Sequence, residues 1–578
     1  MSTAALSGFE HLSRSLVSAL RGRGVAVALV AVVLAILVLP PVIFLIHASF
    51  YPRAIDGSVG AATLQYYQRM MSRPSFVSSL VNTVIYALGS AVVAITVGAF
   101  QAWIVERTDT PFRALTRVFA ITSLGIPNIL YTVAWLLLLG KVGPINQLLM
   151  ALLSSDSPVI SANSLPAMIL IEGLIWTPLA FLMFCAVFRN VDPSFEEAAL
   201  ASGAGILATL YRITLKLAFP AFAALSLLVF CRAVESFEVP FLVGGPAGIH
   251  VLATEVYMAV KSRIPADYGE ASAFSVVLLV FVGLVLMLYR RISKLADRYQ
   301  TITGKGYRPR NMRLGRWRYF TAALLLANFS LIIVLPLGII VWASLVPYYT
   351  PPSVANLKLF TLENFATVLN SPTYQDAIGN TLLMASATAT LTVVLTGLAG
   401  WMVARKRPNA SILDQLSTVP LIFPNIVLGL AIAMLYLRVP LPIYGTLFIL
   451  IIGYTTRGLP YGMRYAHTGA LQIHKELEEA GSVSGAGDAS TFRRIVAPLM
   501  TPALAAAWLY VFLTASRELS MALMLVGPNS MVVSVEIFDL WVGAGVVELA
   551  AVGLTWMVLM MAIAIIFSWL SRRYGISG

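Results

Sequence analysis

Long apolar runs recur along the whole chain and constrain it more than any other feature. The first, Val25 to Ser49, holds no Asp, Glu, Lys or Arg. Others cover residues 79–104, 115–140, 165–189, 217–243, 271–289, 319–344, 379–404, 416–437, 442–463, 501–526 and 546–570. Each is near or above the roughly 20 residues needed to cross the hydrocarbon core of a bilayer. The chain is 59% hydrophobic and only 11% charged, against about 25% charged in soluble domains. No water-soluble core could hide so much apolar surface. The expected fold is all-α and polytopic, with about twelve transmembrane helices. A signal peptide has an apolar region of only about 7–15 residues, so the first run, with Pro40-Pro41 inside it, reads as an uncleaved span.

The net charge of +13 would suggest nucleic acid as the partner of a soluble protein. Here its placement matters more than its sum. Arg21 and Arg23 precede the first run, Arg107, Arg113 and Arg117 separate the second and third, and Arg212 and Lys216 precede the fifth. Residues 290–318 hold ten Lys/Arg and one acid, Asp297. Arg405, Lys406 and Arg407 follow the eighth run, Arg493 and Arg494 precede the eleventh, and Arg572-Arg573 follow the last. All fall on the side of both termini, which the positive-inside rule makes cytoplasmic. Membrane lipid, not nucleic acid, is the expected surrounding. Cys185 and Cys231 both lie in apolar runs and are too few for a disulfide framework or metal cluster.

The second half repeats the first. Pro74 matches Pro372, Asn82-Thr83 matches Asn380-Thr381 and Trp103 matches Trp401, all 298 positions apart. Pro127-Asn128-Ile129 matches Pro424-Asn425-Ile426 at 297. Pro178 and Pro460, Pro220 and Pro502, and Pro246 and Pro528 match at 282. The drop places a longer external loop in the first half, near 141–164. Six spans per copy is an even number, so the copies enter the membrane the same way round. The division expected is a cytoplasmic segment 1–24, a first transmembrane domain 25–290, a basic cytoplasmic linker 291–318 and a second transmembrane domain 319–571.

One loop in each half carries a shared pattern. Glu196-Glu197-Ala198-Ala199 is followed by Gly203-Ala204-Gly205, Arg212-Ile213 and Pro220. Glu478-Glu479-Ala480-Gly481 is followed by Gly485-Ala486-Gly487, Arg494-Ile495, Pro498 and Pro502. Asp192-Pro193 makes a good helix start, and glutamates in a first turn suit the helix dipole. A helix, a glycine turn and a second short helix are expected on the cytoplasmic face.

These residues resemble the EAA loop of ABC-importer permeases, roughly E-A-A-x-x-x-G-x(9)-I-x-L-P. Gly481 replaces the second alanine in half two, and Lys216 stands where half two has Pro498. The resemblance covers the whole chain and implies the type I importer architecture, a multi-pass protein of the bacterial inner membrane. It further implies that each loop is a coupling helix seated in a groove of a separate ATPase subunit. Two loops then call for two ATPase copies, and a periplasmic binding protein hands over the solute. The glutamates would offer charge to the groove, and the glycines would allow a fixed turn and close approach. Single-chain permeases with two such loops resemble the ferric-iron branch most closely; thiamine, phosphonate or polyamine is the alternative cargo.

No ATPase is visible within the chain. Gly304-Lys305-Gly306 lacks the glycine five residues before Gly304 and the Ser/Thr after the lysine that a phosphate loop needs. Catalytic motifs and cofactor signatures are missing too, so the chain reads as a transport subunit rather than an enzyme. Charges inside spans are costly and mark functional candidates. Arg232, Glu235 and Glu238 lie in the fifth run three positions apart, so they are expected to share one helix face. Arg517 and Glu518 occupy the corresponding part of the eleventh, and Glu172 sits alone in the fourth. The functional reading is a polar pathway; the structural one is ion pairing, such as Arg232 with Glu235, and for Glu172 the structural reading is preferred. A secondary carrier of twelve spans would share the architecture but has no reason to carry the paired loops.

Overall fold

The computed structural model describes residues 3–52, 59–190, 192, 194–296 and 312–573. Residues 297–311 of the expected linker, with Gly304-Lys305-Gly306, lie outside them, as does Pro193. The first repeat is built from α1 (Thr3–Phe50), α2 (Pro74–Arg107), α3 (Asn128–Leu139), α4 (Leu165–Asn190), α5 (Ser194–Ala201), α6 (Leu215–Glu235), α7 (Leu252–Lys261) and α8 (Tyr268–Ala296). The second opens with α9 (Trp317–Phe329) and α10 (Leu335–Ser344), joined by a π turn at Ser330–Val334. It continues through α11 (Pro372–Ala404), α12 (Asn425–Tyr436), α13 (Leu447–Leu471), α14 (Glu476–Val483), α15 (Ala497–Ala515), α16 (Val533–Val542) and α17 (Val546–Arg573). No strand forms among the described residues. In an apolar solvent every backbone group must be satisfied within its own segment, and helices do that.

Ten of these helical stretches are long and apolar enough to cross a membrane, or eleven if Ser411–Ile422 and Asn425–Tyr436, bent by 106°, form one broken span. That is short of the twelve expected. The run at 442–463 is α13, where Arg457, Arg464 and a Gly-Tyr-Thr-Thr stretch dilute the apolar character. The run at 115–140 is divided before Pro127, and its second part continues as the apolar stretch Asn128–Leu153. The extra loop of the first half is clasped by Asn146. Its amide donates to the carbonyls of Leu139, Gly140 and Ile160, and its Oδ1 accepts from the Ile160 amide.

The compact units do not follow the two halves of the sequence. One joins residues 1–47 to 372–536 and 558–578; the other joins 48–371 to 537–557. In the first unit Val27, Val30, Leu34 and Val38 of α1 pack with Trp401 of α11, Leu459 and Met463 of α13 and Met500 of α15. In the second, Met312, just before α9, and Leu325 of α9 join Trp103 of α2, Phe181 and Phe184 of α4 and Leu225 of α6. Each half thus lends its opening helix to the other half's core. The chain after the linker is pinned there by backbone, since the Met312 amide donates to Arg107 O and the Asp109 amide to Met312 O.

Small residues let the second and fourth helices of each repeat approach closely. A β-carbon at Gly98 of α2 would stand 2.8 Å from Cβ of Ala180 in α4. At the matching pair the glycine has changed sides: a β-carbon at Gly462 of α13 would stand 2.5 Å from Thr396 Oγ1 of α11.

Candidate functional site: the paired loops and the helix breaks

The paired loops fold alike. The carboxylate of Asp192 accepts the Ser194 amide at 2.9 Å, which starts α5 and holds the Asp192 carboxyl below its usual range. At the other end Gly203 takes φ 84°, and the Ala204 amide reaches back to Ala199 O at 3.0 Å. In the second loop Gly485 takes φ 81°, and the Ala486 amide reaches Gly481 O at 2.9 Å. Both are left-handed helix caps of the kind glycine serves best. The expected second short helix is Ile206–Thr209 or Asp488–Thr491, and each runs through a π turn into α6 or α15.

The two glutamates of each motif do different work. Glu196 is 3% exposed. Its Oε1 accepts Thr214 Oγ1 at 2.6 Å, and its Oε2 lies 3.5 Å from Arg107 Nε at the end of α2. Glu478 accepts Arg405 Nε at 2.7 Å and Trp401 Nε1 at 3.1 Å. Arg107 and Arg405 are repeat partners, and their guanidiniums also bind the carbonyls of Phe188 and Ile473. So Glu196 and Glu478 anchor the loops inward instead of offering charge outward. Glu197 is half-buried, Ala198, Gly203 and Gly205 are exposed, and Glu479, Ala480, Gly485 and Gly487 are all exposed. Phe195, Leu477 and Val483 also face outward, Val483 at 90% exposure. Among the described residues, no atom beyond the chain neighbours lies within 4 Å of a β-carbon placed on any of the four loop glycines.

The fifth span is not one helix. α6 stops at Glu235, Ser236 is extended (ψ 137°), and a π turn follows at Pro240–Gly244. α15 stops at Ala515, with a short helical turn at Ala522–Leu525. Glu235 and Glu238 therefore do not share a helix face; the break between them removes the 3.6-residue period. Glu235 pairs with Arg232 at 3.1 Å, and Glu238 is buried just beyond the break. In the second repeat Arg517 and Glu518 lie in the turn, and Glu518 accepts the Met521 amide at 3.1 Å.

Two helices hold these breaks. Glu172 of α4, 2% exposed, accepts Trp176 Nε1 at 2.8 Å and Ser236 Oγ at 3.0 Å. Tyr454 of α13 donates to Glu518 Oε2 at 2.9 Å, and Ser534 Oγ donates to the Glu518 carbonyl at 2.8 Å. Arg457 binds the carbonyls of Pro420 and Phe423, both at 2.8 Å, at the bend before α12. Sequence reasoning missed Tyr454 and Arg457. An arginine inside an apolar helix was the signal for one, and the register with Glu172 was the signal for the other. Among the described residues no three His, Cys, Asp or Glu side chains are grouped to hold a metal ion.

Residues 94–300 match the family described as "Binding-protein-dependent transport system inner membrane component". The chain is 27% identical over 517 residues to the ferric transport system permease protein FbpB of Actinobacillus pleuropneumoniae, covering 87% of this chain and 71% of that one. It is 22% identical over 476 residues to the Fe(3+)-transport system permease protein FbpB 2 of Haemophilus influenzae, covering 81% and 85%. A crystal structure of a bacterial ABC transporter that imports the acidic polysaccharide alginate aligns with TM-score 0.37 and 19% identity, over 46% of this chain and 90% of that one.

Proposed function

Because the chain is an inner-membrane permease of the binding-protein-dependent ABC-importer family, whose partners are an ATPase and a substrate-binding protein, we propose that it carries ferric iron inward, driven by two ATPase copies docked on the loops at Glu196–Gly205 and Glu478–Gly487. The observation that carries this reading is the loop built twice. Each copy has a first glutamate tied to its own α2 or α11, a left-handed glycine cap, and an outward face on which Ala198 and Phe195, or Glu479, Ala480 and Val483, are exposed. Such a face is what a rigid element presents to a partner. The loops and both termini lie on the cytoplasmic side in this reading, and lipid surrounds the spans. Residues 25–290 and 319–571 act as two permease domains that exchange their first helices.

The iron assignment is supported by the names of the relatives, which align over most of this chain. Arg232, Glu235, Glu238, Arg517 and Glu518 cluster at the breaks of the fifth helices, and broken helices are where transporters place their solute. The test is co-expression with the neighbouring ATPase and binding protein, followed by purification and reconstitution. An ATPase should co-purify. Gly203→Arg or Gly485→Arg should lower labelled ferric iron uptake per ATP by about fivefold or more, the span of ordinary site-to-site coupling, while the protein stays in the membrane. Uptake driven by a proton gradient without an ATPase, or unchanged transport in both variants, would overturn the reading. Uptake of labelled thiamine, phosphonate or polyamine in place of iron would replace the cargo alone.

A further inference from the structure

The repeat register brings two polar contacts into correspondence. Ser236 Oγ donates to Glu172 Oε2 at 3.0 Å in the first repeat, and Tyr454 OH donates to Glu518 Oε2 at 2.9 Å in the second. Glu172 and Tyr454 are 282 positions apart, and so are Ser236 and Glu518. That is the offset of Pro178 with Pro460 and of Pro220 with Pro502. The same two backbone positions therefore carry the same hydrogen bond with acid and hydroxyl exchanged. A bond kept while both of its residues differ points to a requirement for the link itself, not for either side chain.

The link sits at a particular place. Each break in the fifth helix leaves peptide groups outside the helical ladder in apolar surroundings, which is tolerated only where other groups satisfy them. At the second break Glu518 does much of this: its carboxylate accepts the Met521 amide, and its carbonyl accepts Ser534 Oγ. The helix on the other side of the bond, α4 or α13, leads directly into α5 or α14. The fourth and fifth helices are thus joined at one end by the paired loop and at the break by the hydrogen bond. The result is a closed frame in which α4 or α13 connects loop to break.

We propose that Glu172–Ser236 and Tyr454–Glu518 are one tie made twice, which keeps the break in α6 or α15 in step with the loop that the ATPase moves. Glu172, Ser236, Tyr454 and Glu518 are positioning residues in this scheme. The proposal rests on the coupling role given to the loops above. It needs no contact between these four side chains and the solute.

The experiment uses the complete complex in lipid vesicles, with two readouts: ATP hydrolysis without any solute, and labelled ferric iron taken up per ATP. Ser236→Ala and Tyr454→Phe should each lower iron per ATP, and raise solute-free hydrolysis, by about fivefold, as loss of site-to-site coupling does. The exchange Glu172→Tyr with Ser236→Glu writes the second repeat's arrangement into the first and should recover most of that loss. If a tyrosine does not fit beside Trp176, Glu172→Ser with Ser236→Glu makes the same exchange of acid and hydroxyl within the first repeat. Side chains that mattered only for packing would give exchanges worse than either single change, because independent losses add. That result, or coupling unaltered in Tyr454→Phe, would overturn the tie. A complex that takes up no iron but shows the hydrolysis pattern supports the tie and overturns only the cargo.

Discussion

At Gly203 and Gly485 the backbone turns through φ near +80°, a region where an L side chain costs about 1 kcal/mol or more. Gly205 and Gly487 carry no such angle, and Gly487 sits at φ −72°. Alanine at 203 or 485 should therefore speed hydrogen exchange at Ala204 or Ala486 by about fivefold, the factor that ~1 kcal/mol represents. Alanine at 205 or 487 should leave those rates unchanged. Equal effects at all four sites would show that the caps do not set the turn. The glycine pattern was legible because a turn is a local event. The inward course of Glu196 was not, since its partner Arg107 lies 89 positions earlier and adjacent glutamates read alike in sequence. Removing one partner of such a buried pair costs about 3–5 kcal/mol. The Arg107 ion pair and the Thr214 hydrogen bond are what allow Glu196 to be buried here.

Among the elements, the matched Asn-Thr pairs turn out to be clamps. Asn82 Nδ2 donates to His250 O, and Thr83 Oγ1 accepts the Leu252 amide at 2.9 Å, so α2 holds the start of α7. Asn380 and Thr381 hold the start of α16 in the same way, through Met531 O and the Val533 amide. Thr83→Val should leave the Leu252 amide buried without an acceptor, at about 1–3 kcal/mol. Exchange measured by mass spectrometry should quicken at Leu252 by about fivefold or more and stay unchanged at Val533. The repeat marked these residues in the sequence but not their job, which depends on contacts about 170 positions away. Helix breaks were harder still. Apolar content continues through Ser236 and past Ala515, and hydrophobicity reports burial, not hydrogen bonding. Pro240 and the matched Gly245-Pro246 and Gly527-Pro528 were the hints of irregular chain nearby.

For the molecule as a whole, the two compact units each take segments from both halves. Membrane class and duplication were readable because apolar length and internal similarity are properties of sequence alone, whereas the span count fell to ten or eleven against the twelve expected. The exchange of opening helices was not, since an apolar helix carries no mark of which core it will join. Cleavage at a protease site placed within 297–311 should therefore leave the fragments together in mild detergent, because Leu34 and Leu325, 0% and 3% exposed, each sit in a core made mainly by the other fragment. Burial of one leucine stabilises by about 1.5–3 kcal/mol, and each opening helix contributes several such residues. Fragments that separate on size exclusion without denaturant would contradict this.

The close approach at Gly98 and Gly462 bears on how such a gene can change. The first repeat places glycine on α2 against Ala180 of α4, and the second places it on α13 against Thr396 of α11. Copying α11 alone over α2 would set a threonine against Ala180, and copying α13 alone over α4 would face glycine with glycine and leave a gap. Either transfer costs stability, one by overpacking and one by a cavity. Having diverged in compensating pairs, the two copies resist being homogenised by recombination one helix at a time, and so keep the separate identities that a duplicated gene would otherwise lose.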